Sequence, residues 1–212
     1  MFSVISAEYI SRVKEAELRK INTQNTFSRN RSKAIMFERI LQEITEGRNL
    51  VIDNEKIPTA IDSALLLDEI YQSFWAFSID LKEAREYLDS DKKFAEYIVG
   101  QMRVSLHSHI PEKKSYNLSD IDDITRELVI EKKENPVFVI SNAESGIGHD
   151  MFYDLISIMQ GMFQDNMIRH KNYGFQSVIM VGNHITDDLL SDHEYGHVYR
   201  KPWVSGELYH QL

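Results

Sequence analysis

The sequence contains no cysteine. That rules out disulfides, thiolate chemistry and Cys-ligated zinc, and makes a reducing, cytoplasmic compartment the simpler home. Positive charge is also short: 24 Lys and Arg against 33 Asp and Glu leave a formal net charge of -9. A sequence-independent grip on nucleic acid needs a basic surface, so this balance argues against that class of partner. No run approaches the roughly 20 apolar residues that a membrane helix requires. Met1-Phe2-Ser3-Val4 lacks the charged region and long apolar core of a signal peptide. With four prolines and nine glycines scattered through the chain, there is no low-complexity tract and no internal repeat. What is present is ordinary for a globular protein: 212 residues, 42% hydrophobic and 27% charged. Such a chain can bury one good core, with room for an appendage.

The stretch from Pro136 to Gly182 organises the rest. A bare apolar run, Val137-Phe138-Val139-Ile140, meets the polar cluster Ser141-Asn142-Ala143-Glu144-Ser145. Met151, Phe152, Leu155, Ile156, Met159, Met162 and Phe163 then recur at helical spacing, and Val178-Ile179-Met180-Val181 follows, closed by Gly182. Short strands without polar alternation are buried on both faces, as in parallel sheets flanked by helices. Strand, helix and strand form one right-handed crossover, and its first turn, at Ser141, lies at the carboxyl end of the strand, where open α/β sheets bind ligands.

Before that stretch, residues 1–30 read as an amino-terminal extension, helical or docked on a partner, with a polar break at Asn22-Thr23-Gln24-Asn25. Ser32 to Glu46 predicts an amphipathic helix ended by Gly47. Leu50-Val51-Ile52 predicts a buried strand, and Asp53 to Thr59 a loop containing Pro58. A helix over Ile61 to Tyr71 carries Ala64, Leu65, Leu67 and Ile70. Phe74 to Ile79 has the aromatic content of a strand. Ser90 is placed to cap a helix with Phe94, Tyr97, Ile98, Met102 and Val104 on its apolar side. His107 to Asn117 reads as a linker, and Ser119 opens a capping box for a helix reaching about Ile130. The chain therefore predicts β-α-β-α-α-β-α-β, an α/β sandwich around a mostly parallel sheet.

From Arg31 to Leu208 this pattern resembles the AAA-type ATPase-like family of bacterial proteins that often carry a nuclease domain. In that family a helix ending in Glu-Gly leads into the strand and phosphate loop, as Glu46-Gly47-Arg48-Asn49-Leu50-Val51-Ile52 does here. Val137 through Phe163 is similar to its Walker B strand, acidic cluster and long helix. Phe175-Gln176-Ser177-Val178-Ile179-Met180-Val181-Gly182 and His197-Val198-Tyr199-Arg200-Lys201-Pro202-Trp203 are similar to its later strand and closing element. The resemblance implies a P-loop NTPase-like three-layer α/β/α sandwich over residues 31–212, here lacking the carboxy-terminal helical subdomain.

The same comparison implies a degenerate nucleotide site. A phosphate loop needs glycines whose N–H groups wrap phosphates, a Lys, and a hydroxyl for Mg²⁺. The family's loop falls on Asp53 to Ser63, with Thr59 at the Gly position, Ala60 at the Lys position and Ile61 at the hydroxyl position. Asp53 and Glu55 place negative charge where polyphosphate would lie, and Lys56 is the cation within this loop. The Walker B acids fall on Ser141 and Asn142, and only Glu144 keeps an acid. The expectation is a catalytically inactive ATPase-like domain with no favoured cofactor. It would act as an interaction or regulatory module beside an active ATPase relative or a second copy of itself.

Two other chemistries are carried by the residues. His193-Glu194-Tyr195-Gly196-His197 matches H-E-x-x-H, in which two His on one helical face hold zinc and the Glu is the base. Gly196 and Pro202 work against a helix there, and the third ligand would come from Glu207 or His210. Alternatively Asn142, Glu144 and His184 form a reshaped site that binds ATP with Mg²⁺, or another small ligand, without hydrolysis. His107-Ser108-His109 reads as a solvated loop, Gly146-Ile147-Gly148 as a tight strand-to-helix turn, and Glu131-Lys132-Lys133-Glu134 as a solvated helix end. The Phe74, Trp75 and Phe77 cluster and the methionines Met151, Met159 and Met162 read as core.

Overall fold

A computed structural model of the chain describes residues 37–54, 63–169 and 174–185, and the backbone of Trp203–Val204. The chain divides into two compact units, Met1–Ile40 and Leu41–Leu212; the architecture below belongs to the second, apart from residues 37–40, the start of α1, which belong to the first. The elements are α1 (37–45), β1 (Asn49–Asp53), α2 (Ser63–Ser73), β2 (Ala76–Asp80), α3 (Asp91–Leu106), α4 (Asp120–Lys132), β3 (Val137–Ser141), α5 (Asp150–Arg169), β4 (Ser177–Gly182) and β5 (Trp203–Val204). Short 3₁₀ turns at Ala84–Tyr87 and Ala143–Gly146 follow β2 and β3. The extension at residues 1–30 lies outside the described residues.

All strand pairs are parallel, in the order β2-β3-β4-β1-β5. The register aligns Phe77 with Phe138 and Val178, and Leu50 with Ile179. The carboxyl ends Asp53, Asp80, Ser141 and Gly182 therefore share one edge of the sheet. Passing from β1 to β2 moves one way across the sheet, whereas β2 to β3 to β4 moves the other way. Right-handed crossovers then put α2 on one face and α3, α4 and α5 on the opposite face. Alternation along the strands fits. Val51, Phe77, Ile79, Phe138, Ile140, Val178 and Met180 join one core cluster with Phe94, Ile98, Leu128, Phe152 and Ile156 of the three-helix face. Leu50, Ile52, Val137, Val139, Ile179 and Val181 are equally buried with their side chains turned the other way, as are Leu66 and Ile70 of α2. Every residue of β1, β3 and β4 is buried. The fold is the expected α/β sandwich on a parallel sheet. Among the described residues no helix is long and apolar enough to cross a membrane.

Several local expectations change. In α2 the buried positions are Leu66 and Ile70 while Leu65 is half exposed, because the sheet selects one stripe where three consecutive leucines fit several. Val104 faces solvent at 70% exposure, so the buried stripe of α3 runs through Met102 to Leu106. The strand expected at Phe74 begins at Ala76, and Trp75 instead donates its indole N–H to Leu106 O at 3.2 Å. The segment 107–117 is packed rather than a linker: Ser108, Ile110 and Tyr116 are buried. Ser90 does cap α3, accepting from Lys93 N. Ser119 makes no capping hydrogen bond. Asp120, the first helical residue, instead bonds back to the turn that leads into the helix, accepting from Asn117 N at 2.9 Å and from Lys113 Nζ at 3.0 Å.

The Asn117 N–H first, and then Lys113, hold the Asp120 carboxyl below its usual range. A carboxylate whose folded-state pKa is depressed stabilises the fold above its unfolded value and loses that contribution as pH falls through the folded value. Wild type is therefore expected to exceed Asp120→Ala in stability at pH 7. The pair is solvent-screened, so the gap should be about 1 kcal/mol or less, and it should close as pH falls below about 4. Urea unfolding of both proteins from pH 7 to 2.5 measures it, and a gap that stays constant with pH would exclude the ionic contribution.

Candidate functional site at the carboxyl edge of the sheet

Four strand ends converge at this edge, and the chemistry each can offer depends on what its polar atoms already touch. At the end of β3, Ser141 Oγ donates to Ile79 O across the sheet at 3.2 Å. Asn142 adopts a left-handed conformation, φ 50°, which Asn tolerates better than most residues. Its side-chain amide thereby reaches both oxygens of Asp80, at 2.8 and 2.9 Å. Asp80 Oδ1 also accepts from Lys82 N at 2.8 Å and, more weakly, from Glu83 N at 3.4 Å. Asp80 thus anchors both its own turn and that of the neighbouring strand.

The connection after β1 and the one after β4 leave in opposite directions, so the crevice between their ends is the topological switch point, where α/β sheets bind ligands. Here that crevice is crossed by the protein's own hydrogen bonds. Asn54 N donates to Gly182 O at 2.9 Å and His184 N donates to Asp53 Oδ1 at 3.1 Å. Asp53 is only 1% exposed. His184, like Asn142, is left-handed, φ 56°, which turns its N–H toward that carboxylate. Glu144 lies over the end of β4 and accepts from Asn183 N at 3.2 Å. Only a glycine permits this approach: a Cβ on Gly182 would fall 2.2 Å from Glu144 Oε2 and 3.1 Å from Ala143 N.

The electrostatics follow from these acids. Burial first, and the nearby charges of Glu83 and Asp80 with it, keep the Tyr97 phenol above its usual pKa, although its hydrogen bond to Asp80 O works the other way. The carboxylates of Asp53, Asp80 and Glu144 all lie along this edge of the sheet. Ser141 and Asn142 supply neutral groups already bonded inward.

The structure therefore brings together Asp53, Ser141, Asn142, Glu144 and His184 from the set read in the sequence. Lys56, Thr59, Ala60 and Ile61 lie outside the described residues, as do His193, Glu194, His197, Glu207 and His210 of the zinc alternative. Among the described residues no group of three or more His, Asp or Glu could hold a metal ion. The sequence reading missed Asp80 and Asn183. Asp80 was findable, as an acid directly after an apolar strand; Asn183 enters only through the register that sets β4 beside β1.

No family model matches the sequence, and no curated protein matches it. Among solved structures the chain is similar to one in the structure of Drosophila ORC bound to AT-rich DNA and Cdc6, at 10% identity and a TM-score of 0.46. The match covers 90% of this chain and 59% of that chain.

Proposed function

We propose that this chain is an ATPase-like α/β domain that does not turn over nucleotide and works as a protein-interaction or regulatory module. The observation that carries the proposal is the switch-point crevice. Its buried acid, Asp53, is bonded to the His184 N–H, and the Walker B positions Ser141 and Asn142 are bonded to Ile79 O and Asp80. Positioning and charge stabilisation supply nearly all of phosphoryl-transfer catalysis. An edge with acids facing the triphosphate and neutral groups at the metal positions supplies neither. A resident ATP–Mg²⁺ does not fit this edge, and no catalytic residue is assigned. The proposed partner is a protein, either an active ATPase relative or a second copy of this chain. A cytoplasmic setting goes with the absence of cysteine.

Isothermal titration with ATP and Mg²⁺, alongside a phosphate-release assay, tests the proposal. The expected result is no binding tighter than about 1 mM, equivalent to roughly -4 kcal/mol, and no turnover above buffer. A micromolar dissociation constant or measurable hydrolysis would overturn it.

A further inference from the structure

A second feature lies on the helix layer, away from the sheet edge. Residues His109, Ile110 and Pro111 face Ile124, Glu127, Leu128 and Glu131 of α4 across a cleft of about 170 Å³. One wall is fixed by a side chain from α3. Arg103 donates from Nε and Nη2 to Ile110 O at 3.3 and 3.2 Å, from Nη2 to Pro111 O at 3.3 Å, and to the Tyr116 hydroxyl, whose ring it also covers. Tyr116 in turn accepts from Lys113 N at 3.0 Å and donates to Pro111 O. The other wall is α4, fixed through buried Ile124 and Leu128. Both walls are therefore in place before any ligand arrives, which lowers the ordering cost of binding.

The lining selects the ligand. Ile110, Pro111, Ile124 and Leu128 make an aliphatic floor, and Glu127 and Glu131, one helical turn apart, stand at the rim. Both glutamates are exposed, and neither is in an ion pair among the described residues. The nearby ammonium of Lys113 is bound to Asp120 at 3.0 Å. An anion would be repelled. A purely apolar group would fill the floor but strip water from the carboxylates without replacing it. A long cationic side chain meets both demands, with its stem on the floor and its head at the rim. The size agrees, since a cavity of about 150 Å³ takes up a benzene ring and a lysine side chain is a single nitrogen on a four-carbon stem.

We propose that the cleft between residues 109–111 and α4 is a docking pocket for one lysine or arginine side chain of a basic protein segment. This gives the interaction-module proposal above a partner chemistry and rests on it for its biological setting. Titration with ATP and titration of this pocket are independent measurements, so either can fail alone.

The test uses the full chain, ¹⁵N-labelled, titrated with Nα-acetyl-lysine methylamide and, in parallel, with the norleucine analogue that lacks the ammonium. Saturable amide shifts confined to residues 109–111 and 124–131, half-maximal in the millimolar range and absent with norleucine, are expected. Glu127→Gln/Glu131→Gln should weaken the lysine titration by about fivefold or more while leaving the remaining spectrum unchanged, since exposed pairs contribute modestly each and both side chains are at the surface. Equal responses to lysine and norleucine would overturn the proposal. So would no saturation, or shifts spread equally over the other acids of α4 such as Asp120, Asp122 and Asp123.

Discussion

Phe138→Ala is expected to lower the unfolding free energy by about 3–5 kcal/mol, enough to take much of the stability of a typical domain. Phe138 lies on the interior strand β3 and is 0% exposed. Its ring stacks on Phe77 of β2 with centroids 4.4 Å apart and planes at 11°, and meets Phe175 at 5.4 Å. The in-register pair joins two strands on the face that α3, α4 and α5 cover, so truncation removes both buried area and a ring contact worth about 0.5–1.5 kcal/mol beyond area. Urea unfolding followed by circular dichroism gives the value. Tyr71→Ala on the exposed side of α2 is the control, expected to change stability far less. A loss below about 1 kcal/mol at Phe138 would mean that this aromatic layer is not the centre of the core.

Gly146→Ala is expected to cost about 1–3 kcal/mol or somewhat more, the range for forcing atoms into a packed core. Gly146 closes the turn after β3, and a Cβ there would fall 2.7 Å from Leu81 Cδ1 and 2.7 Å from Phe152 Cγ. Leu81 and Phe152 are both 0% exposed, and a phenyl ring root on α5 cannot swing aside as a flexible chain end would. Gly100→Ala serves as contrast, because apart from the adjoining backbone of α3 itself no atom lies within 4 Å of that Cβ. It should be neutral or stabilise by about 0.5–1 kcal/mol through helix propensity. Thermal unfolding of the two variants should move in opposite directions. In the double variant Gly146→Ala/Leu81→Ala, part of the steric cost should be relieved, giving a non-additive sum. If Gly146→Ala were as stable as wild type, the close packing of that turn on α5 would be wrong. With it would go the account of how Asn142 and Glu144 are held at the carboxyl edge.

The strand cores were legible because a buried parallel strand carries its signal in a few consecutive residues. Val137–Ile140 and Val178–Val181 leave little alternative. Helix α3 was legible for a similar local reason, with Ser90 at its cap and apolar residues at helical spacing. Harder were the choices among equivalent apolar residues. Leu65 and Leu66 have the same chemistry, and only the packing direction of α2 buries the second. The apparent linker was misread because its polar composition hid Arg103, a cation on a different element that collects the loop's carbonyls. Strand β5 escaped notice for want of length: two residues pair with Asn49 and Leu50, too few for any periodicity to show.

At the carboxyl edge the division is sharper. Local chemistry, which travels with the residue, fixed which groups are present: Ser141 and Asn142 after β3, an acid at Asp53, and Glu144 in the turn that follows. Whether those groups remain free to meet a ligand is a question of distance between segments far apart in the chain. The pairing of Asn142 with Asp80 spans 62 positions and that of His184 with Asp53 spans 131. The sequence by itself determined the parallel α/β architecture, the buried strands and the sign of the charge at the edge, because burial and charge follow from composition along a short window. Only the tertiary structure decided that the edge groups bond to one another and that Arg103 builds a cleft beside α4. Hydrogen bonds of that kind depend on strand order, register and two left-handed residues, none of which a local pattern specifies.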